Sequence, residues 1–142
     1  MSDHTIHVTH LNDDSISLSG YVHGYDEYQQ CGFTERIPSA TFAAALTRNP
    51  DIALTFDFVG EPIARTRDGT LLLACDKHGL KADAIVEARH ENDVADHQFA
   101  LARRDLDDEW SDAGDRKCRV ITVLELCNIG IVEKPPREEG ST

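Results

Sequence analysis

The segment Ala64-Arg65-Thr66-Arg67-Asp68-Gly69-Thr70-Leu71-Leu72-Leu73-Ala74-Cys75-Asp76-Lys77-His78-Gly79-Leu80-Lys81-Ala82-Asp83-Ala84 holds two tight turns between short apolar runs. The turns are Arg67-Asp68-Gly69 and Asp76-Lys77-His78-Gly79, and each ends in the glycine that tight turns favour. The runs at 62–66, 70–75 and 80–86 are too short for helices and suit strands. This spacing predicts a meander of antiparallel strands, so the chain is expected to be built mainly on β-structure.

Upstream, 52–58 reads as a buried strand. Ser39 is placed to N-cap a short helix whose apolar face is Phe42, Ala43, Ala45 and Leu46, with Asn49-Pro50 as its stop. Residues 33–37 suit a short strand, and 24–30 reads as a polar, turn-rich connection. At the start, 4–10 and 15–23 alternate apolar and polar residues (Ile6, Val8; Ile16, Leu18) around Asn12-Asp13-Asp14, the pattern of a β-hairpin.

Downstream, 87–97 fits a little more than two helical turns with a weak apolar face. Residues 106–116 read as a polar, acidic loop. Residues 119–132 return to Val-, Ile- and Leu-rich β-type sequence that Pro135-Pro136 ends. The expected fold class is α+β, mainly antiparallel β, with one or two short helices. A single domain over 1–136 and a disordered C-terminal tail at 137–142 complete the expected organisation.

The 142 residues include 26 Asp and Glu against 14 Lys and Arg, a formal net charge of −12. Such a balance repels phosphate backbones and anionic membrane surfaces, so direct nucleic-acid binding is not expected. No apolar run nears the roughly 20 residues that span a bilayer, and no membrane association is expected. Cys31, Cys75, Cys118 and Cys127 form no C-x-x-C pair, and no basic region precedes an apolar stretch at the N-terminus. They are read as reduced, intracellular thiols.

Several stretches, in order, are similar to one known pattern. Ser19-Gly20-Tyr21-Val22 resembles a "G-Y-A" strand, and Phe33-Thr34-Glu35-Arg36-Ile37-Pro38-Ser39-Ala40-Thr41-Phe42 resembles "F-x-E-x-I-x-P-G-A-F". Ala64-Arg65-Thr66, Gly69-Thr70-Leu71 and Gly79-Leu80-Lys81-Ala82-Asp83-Ala84 look like "G-R-T-x-x-G-T-L" and "G-L-x-x-x-A". Ile121-Thr122 through Pro135 resembles a closing "I-T-E-V-x-L-x-E-V-S-V-V-T-x-P-A" strand, with Val123, Asn128 and Gly130 where Glu, Glu and Ser are usual. Over about residues 16–136 the chain thus resembles the HK97-type phage prohead proteases, whose fold is related to the herpesvirus assembly proteases. The resemblance implies a β-barrel of that kind.

It also implies a site. Such a peptidase needs a hydroxyl nucleophile, a base to take its proton and a group to orient the base. The family's "N-H-D" segment corresponds to Thr55-Phe56-Asp57-Phe58-Val59-Gly60, with Asp57 at the histidine position. Its "G-D-V-S-G-M-S-F-G-F" segment corresponds to Asn92-Asp93-Val94-Ala95-Asp96-His97-Gln98-Phe99-Ala100-Leu101, with Gln98 at the serine position. A carboxamide is a poor nucleophile, and an ordinary Asp has too low a pKa for the base. The stretch 86–92 is also shorter than the family's helix there. No catalytic residue is therefore assigned. Relocated pairs, Ser111 with His97, or Ser17 or Ser19 with His23, would have to come from the fold, and His78 is a further histidine a displaced site could use.

Other constellations carry less. His4, His7 and His10 recur every third residue, and on a strand His7 would face away from the other two, so no metal site is assigned. Asp105, Asp107, Asp108, Glu109, Asp112 and Asp115 lie near Gly114 but lack the order of a calcium loop. They are expected in a solvated loop. Trp110, a large apolar group within that acidic run, could anchor it or dock a partner. No cofactor is expected.

The expected function is a non-catalytic phage capsid assembly or virion structural protein that binds capsid subunits or other virion proteins. It would act in the host cell cytoplasm during assembly, and homo-oligomers are compatible with it. The alternatives are an active prohead maturation serine protease with a diverged site, and a small β-rich decoration or adaptor protein without protease ancestry.

Overall fold

The computed structural model describes residues 4–29, 33–113 and 116–134. The expected tail at 137–142 and Cys31 lie outside the described residues. Among the described residues there are ten strands and two short helices: β1 (His7–His10), β2 (Ser15–Gly24), β3 (Asp26–Gln29), β4 (Phe33–Arg36), α1 (Ser39–Thr47), β5 (Ala53–Phe56), β6 (Val59–Arg65), β7 (Leu71–Cys75), β8 (Gly79–Glu87), α2 (Glu91–Val94), β9 (His97–Ala113) and β10 (Arg116–Glu133). A 3₁₀ turn at Ala88–His90 precedes α2.

The strands form two sheets. The smaller runs β1-β2-β8-β7, and the larger runs β3-β4-β10-β5-β6 with β9 paired to β10. Pairing is mostly antiparallel, but β10 is long enough to pair in parallel with β4 at one end and with β5 at the other. Neither sheet closes on itself among the described residues, so the closed barrel implied by the resemblance is not found. The sheets instead meet at a corner, where Thr5 bridges Gln98 and the Phe99 N–H donates to the His4 carbonyl.

The opening hairpin forms as expected, with Val8 opposite Leu18. The meander does not. β5–β6 and β7–β8 are antiparallel pairs, but they belong to different sheets. Hydrogen bonding around the Arg67-Asp68-Gly69 turn explains the break. Thr66 exchanges bonds with Ile52, which holds that end of β6 on β5, while the Thr70 carbonyl accepts from Ile85 of β8. The turn, with Gly69 at φ 74°, is a corner between sheets.

Three further expectations are corrected. Residues 26–29 are a strand rather than a turn, because β4 offers them an antiparallel partner. The α1 N-cap is Pro38 and not Ser39; the Pro38 carbonyl accepts from the Thr41 and Phe42 N–H groups, and no side chain caps the helix. In the acidic run at 106–116, the described residues 106–113 are a strand and not a loop. They form most of the outer half of β9, paired to β10 as far as Ala113 opposite Arg116. Aspartate has low strand propensity, but a full-length partner strand and an edge facing solvent override it.

The core lies between the sheets and under α1. Ile16 and Leu18 of β2, Leu80 of β8, Phe42 of α1, Leu54 of β5, Phe99 of β9 and Ile129 and Ile131 of β10 are all buried. Burying each such side chain is worth about 1.5–3 kcal/mol. Polar bonds fix α1 on β10: the Thr41 hydroxyl donates to the Ile121 carbonyl at 3.0 Å and Arg48 donates to the Leu124 carbonyl at 2.9 Å.

Candidate functional site

The strand register brings Asp57 and Gln98 to the same end of the larger sheet. β10 lies between β5 and β9 there. Phe56 and Phe99 both pair with Ile131, Thr55 and Ala100 both pair with Gly130, and Gln98 pairs with Val132. Asp57, one residue beyond Phe56, donates its N–H to the Ile131 carbonyl at 3.0 Å. The two positions therefore flank β10, with two strand spacings, roughly 10 Å, between their backbones. Long side chains from two such positions could meet above β10, but a carboxylate and a carboxamide supply neither nucleophile nor near-neutral base.

The surface beside them is closed by an aromatic ring. Asp57 and Phe58 have φ 52° and 63°, the left-handed pair that a two-residue hairpin turn requires. Phe58 folds back so far that a Cβ added to Gly130 would lie 2.7 Å from its ring. Thr55, the partner of Gly130, is buried, and its hydroxyl has no hydrogen-bond partner. Asp57 itself is exposed.

A histidine lies nearby that sequence reasoning missed. His90 is 7% exposed, its ring centroid is 5.7 Å from that of Phe56, and its Nδ1 is unbonded, 3.8 Å from the Asp93 carboxylate. Only its place in the 3₁₀ turn brings it there, and no motif flags it. Among the described residues, no serine side chain is hydrogen-bonded to a histidine.

The relocated pairs fare differently. Ser111 and His97 stand near opposite ends of β9, and at roughly 3.3 Å per residue about 46 Å of strand lies between them. Ser17 and Ser19 share β2 with His23, whose Nδ1 meets the Gly24 carbonyl and whose Nε2 faces Arg103. His78 packs edge-on against Tyr21. What the register does juxtapose is a row across the smaller sheet, in which Ser19 lies between His7 of β1 and Asp83 of β8. His4 binds the Tyr21 carbonyl and His10 binds the Glu91 carboxylate, so the three early histidines go to separate places. Among the described residues no three His, Cys, Asp or Glu side chains converge as metal ligands do.

The densest polar constellation lies on the outer half of the larger sheet. Glu35 of β4 is 5% exposed and is held by Arg103 at 2.5 Å and Arg119 at 3.0 Å. Arg103 also binds Asp105 at 2.8 Å, and Arg119 binds Asp108 at 2.5 Å. Burial opposes the charge on Arg103, but Asp105 and Glu35 outweigh it and raise its pKa. The Asp108 hydrogen bond does the same for Arg119. His23 donates from Nδ1 to the Gly24 carbonyl at 2.6 Å and accepts from Arg103 on Nε2 at 2.9 Å, which requires the neutral Nδ1–H tautomer. Alternation in Phe33-Thr34-Glu35-Arg36-Ile37 puts Glu35 on the same face as Ile37, a signal that could have found this buried acid. Nothing comparable marks Arg103.

The family model described as Caudovirus prohead serine protease matches residues 4–142 of the chain. Searches among curated proteins and among solved structures found no match.

Proposed function

The chain belongs to the caudovirus prohead serine protease family, and from that premise we propose that it is a non-catalytic member, acting in capsid assembly or in the virion by binding capsid subunits. The observation that carries this reading is the end of β5, β10 and β9. Asp57 and Gln98 flank β10 there, and Phe58 is packed onto Gly130 beside them. The positions are brought together while the residue types lack the chemistry, and a site must supply both. Family membership sets aside the decoration protein without protease ancestry.

The test is incubation with the capsid precursor expressed from the same genome. The precursor should remain intact while the protein co-sediments with assembling shells. Specific cleavage that disappears when a serine is replaced would overturn the proposal. A second reading, an active protease with a displaced site, has one observation in its favour: the His7, Ser19, Asp83 row. That row lies on an open sheet face and no hydrogen bond links its members, so Ser19→Ala is expected to change nothing. Loss of a measured cleavage in that variant would favour the second reading.

A further inference from the structure

The outer half of β9 combines three features that no catalytic reading uses. First, from Leu101 to Ala113 its outer edge pairs with no strand among the described residues, so its outward backbone N–H and C=O groups have no strand partner there. Second, Trp110 is 54% exposed on this strand, and its ring stacks edge-on against Phe33 of β4 with centroids 4.9 Å apart. An aromatic pair held in place yet half uncovered is the usual anchor of a protein interface. Third, much of the acidic charge along this strand is unmatched, although Lys117 of β10 stands opposite Asp112. Asp105 and Asp108 are matched by Arg103 and Arg119, but exposed Asp107, Glu109 and Asp112 make no ion pair with a described residue.

We propose that this edge binds a basic, extended segment of a partner protein by strand addition, with Trp110 and Phe33 as the apolar anchor and Asp107 and Glu109, on the opposite face, as the charge that selects it. The inference rests on the assembly role proposed above and names its contact surface. Charge decides the occupant. A second copy pairing edge to edge would bring the acidic side chains of Asp107 and Glu109 against their own kind, a repulsion that edge strands use to prevent self-association. Alternating lysine and apolar residues would instead set lysines beside Asp107 and Glu109, which share one face of β9, while their apolar face covers Trp110 on the other. The cluster of Glu35, Arg103 and Arg119 behind the edge holds β4, β9 and β10 in register, so the surface is preformed.

Trp110 is the sole tryptophan, so its emission reports directly on the site. The probe is a peptide of roughly ten alternating lysines and valines, long enough to line the edge. Controls are the glutamate–valine counterpart and a lysine-rich peptide with proline at alternate positions, which cannot complete a strand ladder. The basic peptide should shift Trp110 emission to the blue, weaken as salt rises, and bind at least about tenfold less tightly to the Asp107→Lys, Glu109→Lys, Asp112→Lys variant by labelled-peptide anisotropy. The proposal is overturned if the proline peptide binds equally well, if the acidic peptide binds, or if emission shifts with protein concentration alone, which would assign the edge to a second copy. In the capsid assay, a variant that still co-sediments with shells sinks the edge while leaving the assembly role standing. Absence of the wild-type protein from shells sinks that role whatever the peptide does.

Discussion

At the scale of single residues, the smallest and the most charged positions are the least replaceable. A Cβ on Gly79 would lie 2.2 Å from the His23 carbonyl oxygen, on backbone that cannot swing away as a side chain can. Gly79→Ala must therefore open the end of the β2–β8 pairing. A loss of about 2–3 kcal/mol in urea denaturation is expected, in the range of overpacking costs. Arg103 is the counterpart among charges. Replacing it with Met leaves Glu35 with one of its two arginines and removes the Arg103 hydrogen bond to His23 Nε2. Breaking a buried pair from one side costs more than the pair contributes, so a loss of roughly 3 kcal/mol is expected. Glu35→Gln keeps the shape but puts an NH2 donor where one of two accepting oxygens faces an arginine, so the same measurement should also show a loss, of about the 1–3 kcal/mol that an unsatisfied buried polar group costs.

At the scale of elements, turns carry much of the specification, and the Asp76-to-Gly79 turn shows how pH enters. The Asp76 carboxylate accepts from the Tyr21 hydroxyl at 2.5 Å and from the His78 and Gly79 N–H groups. The Tyr21 bond, then the backbone bonds, hold its pKa below the usual 3.8. A depressed carboxyl pKa contributes stability that is present above 3.8 and is lost as pH falls through the folded value. Asp76→Asn should therefore flatten the acid end of a stability-against-pH curve below about pH 4 and leave the neutral region with the same slope. These turns were also what the sequence made legible. Gly69 and Gly79 announce themselves, and so do the apolar alternations of β2 and β8, because both signals are local. The sheet assignment of β6 and β7 was not legible, since Thr70 bonds both back to Arg65 of β6 and across to Ile85 of β8, and which strand continues beyond it depends on partners far away in the chain. Residues 106–113 read as loop because their strand character comes from β10 and from Arg103 and Arg119, none of which lies within that acidic run. Asp57 and Gln98 could be placed by pattern, whereas Phe58 over Gly130 and His90 against Phe56 required the fold.

At the scale of the whole molecule, two electrostatic effects oppose each other, and their locations predict which one salt controls. The net charge of −12 is carried by exposed carboxylates, among them Asp107, Glu109 and Asp112, and self-repulsion of such charges destabilises the compact state. The favourable pairs that matter most, Glu35 with Arg103 and Arg119, are largely buried. Added salt screens exposed charges beyond a Debye length of roughly 10 Å at 0.1 M and screens buried contacts much less. The more exposed pairs, such as Arg36 with Asp26 and Arg89 with Glu87, contribute little to begin with. Raising sodium chloride from about 0.02 to 0.3 M should therefore increase the melting temperature, by a few degrees if the gain is about 1 kcal/mol. The Asp107→Lys, Glu109→Lys, Asp112→Lys variant, with six fewer units of negative charge by arithmetic on those three positions, should show a smaller rise from a higher starting point. A melting temperature that instead falls with salt in the wild-type protein would mean that exposed ion pairs outweigh the repulsion, and that the acidic edge of β9 costs the fold nothing.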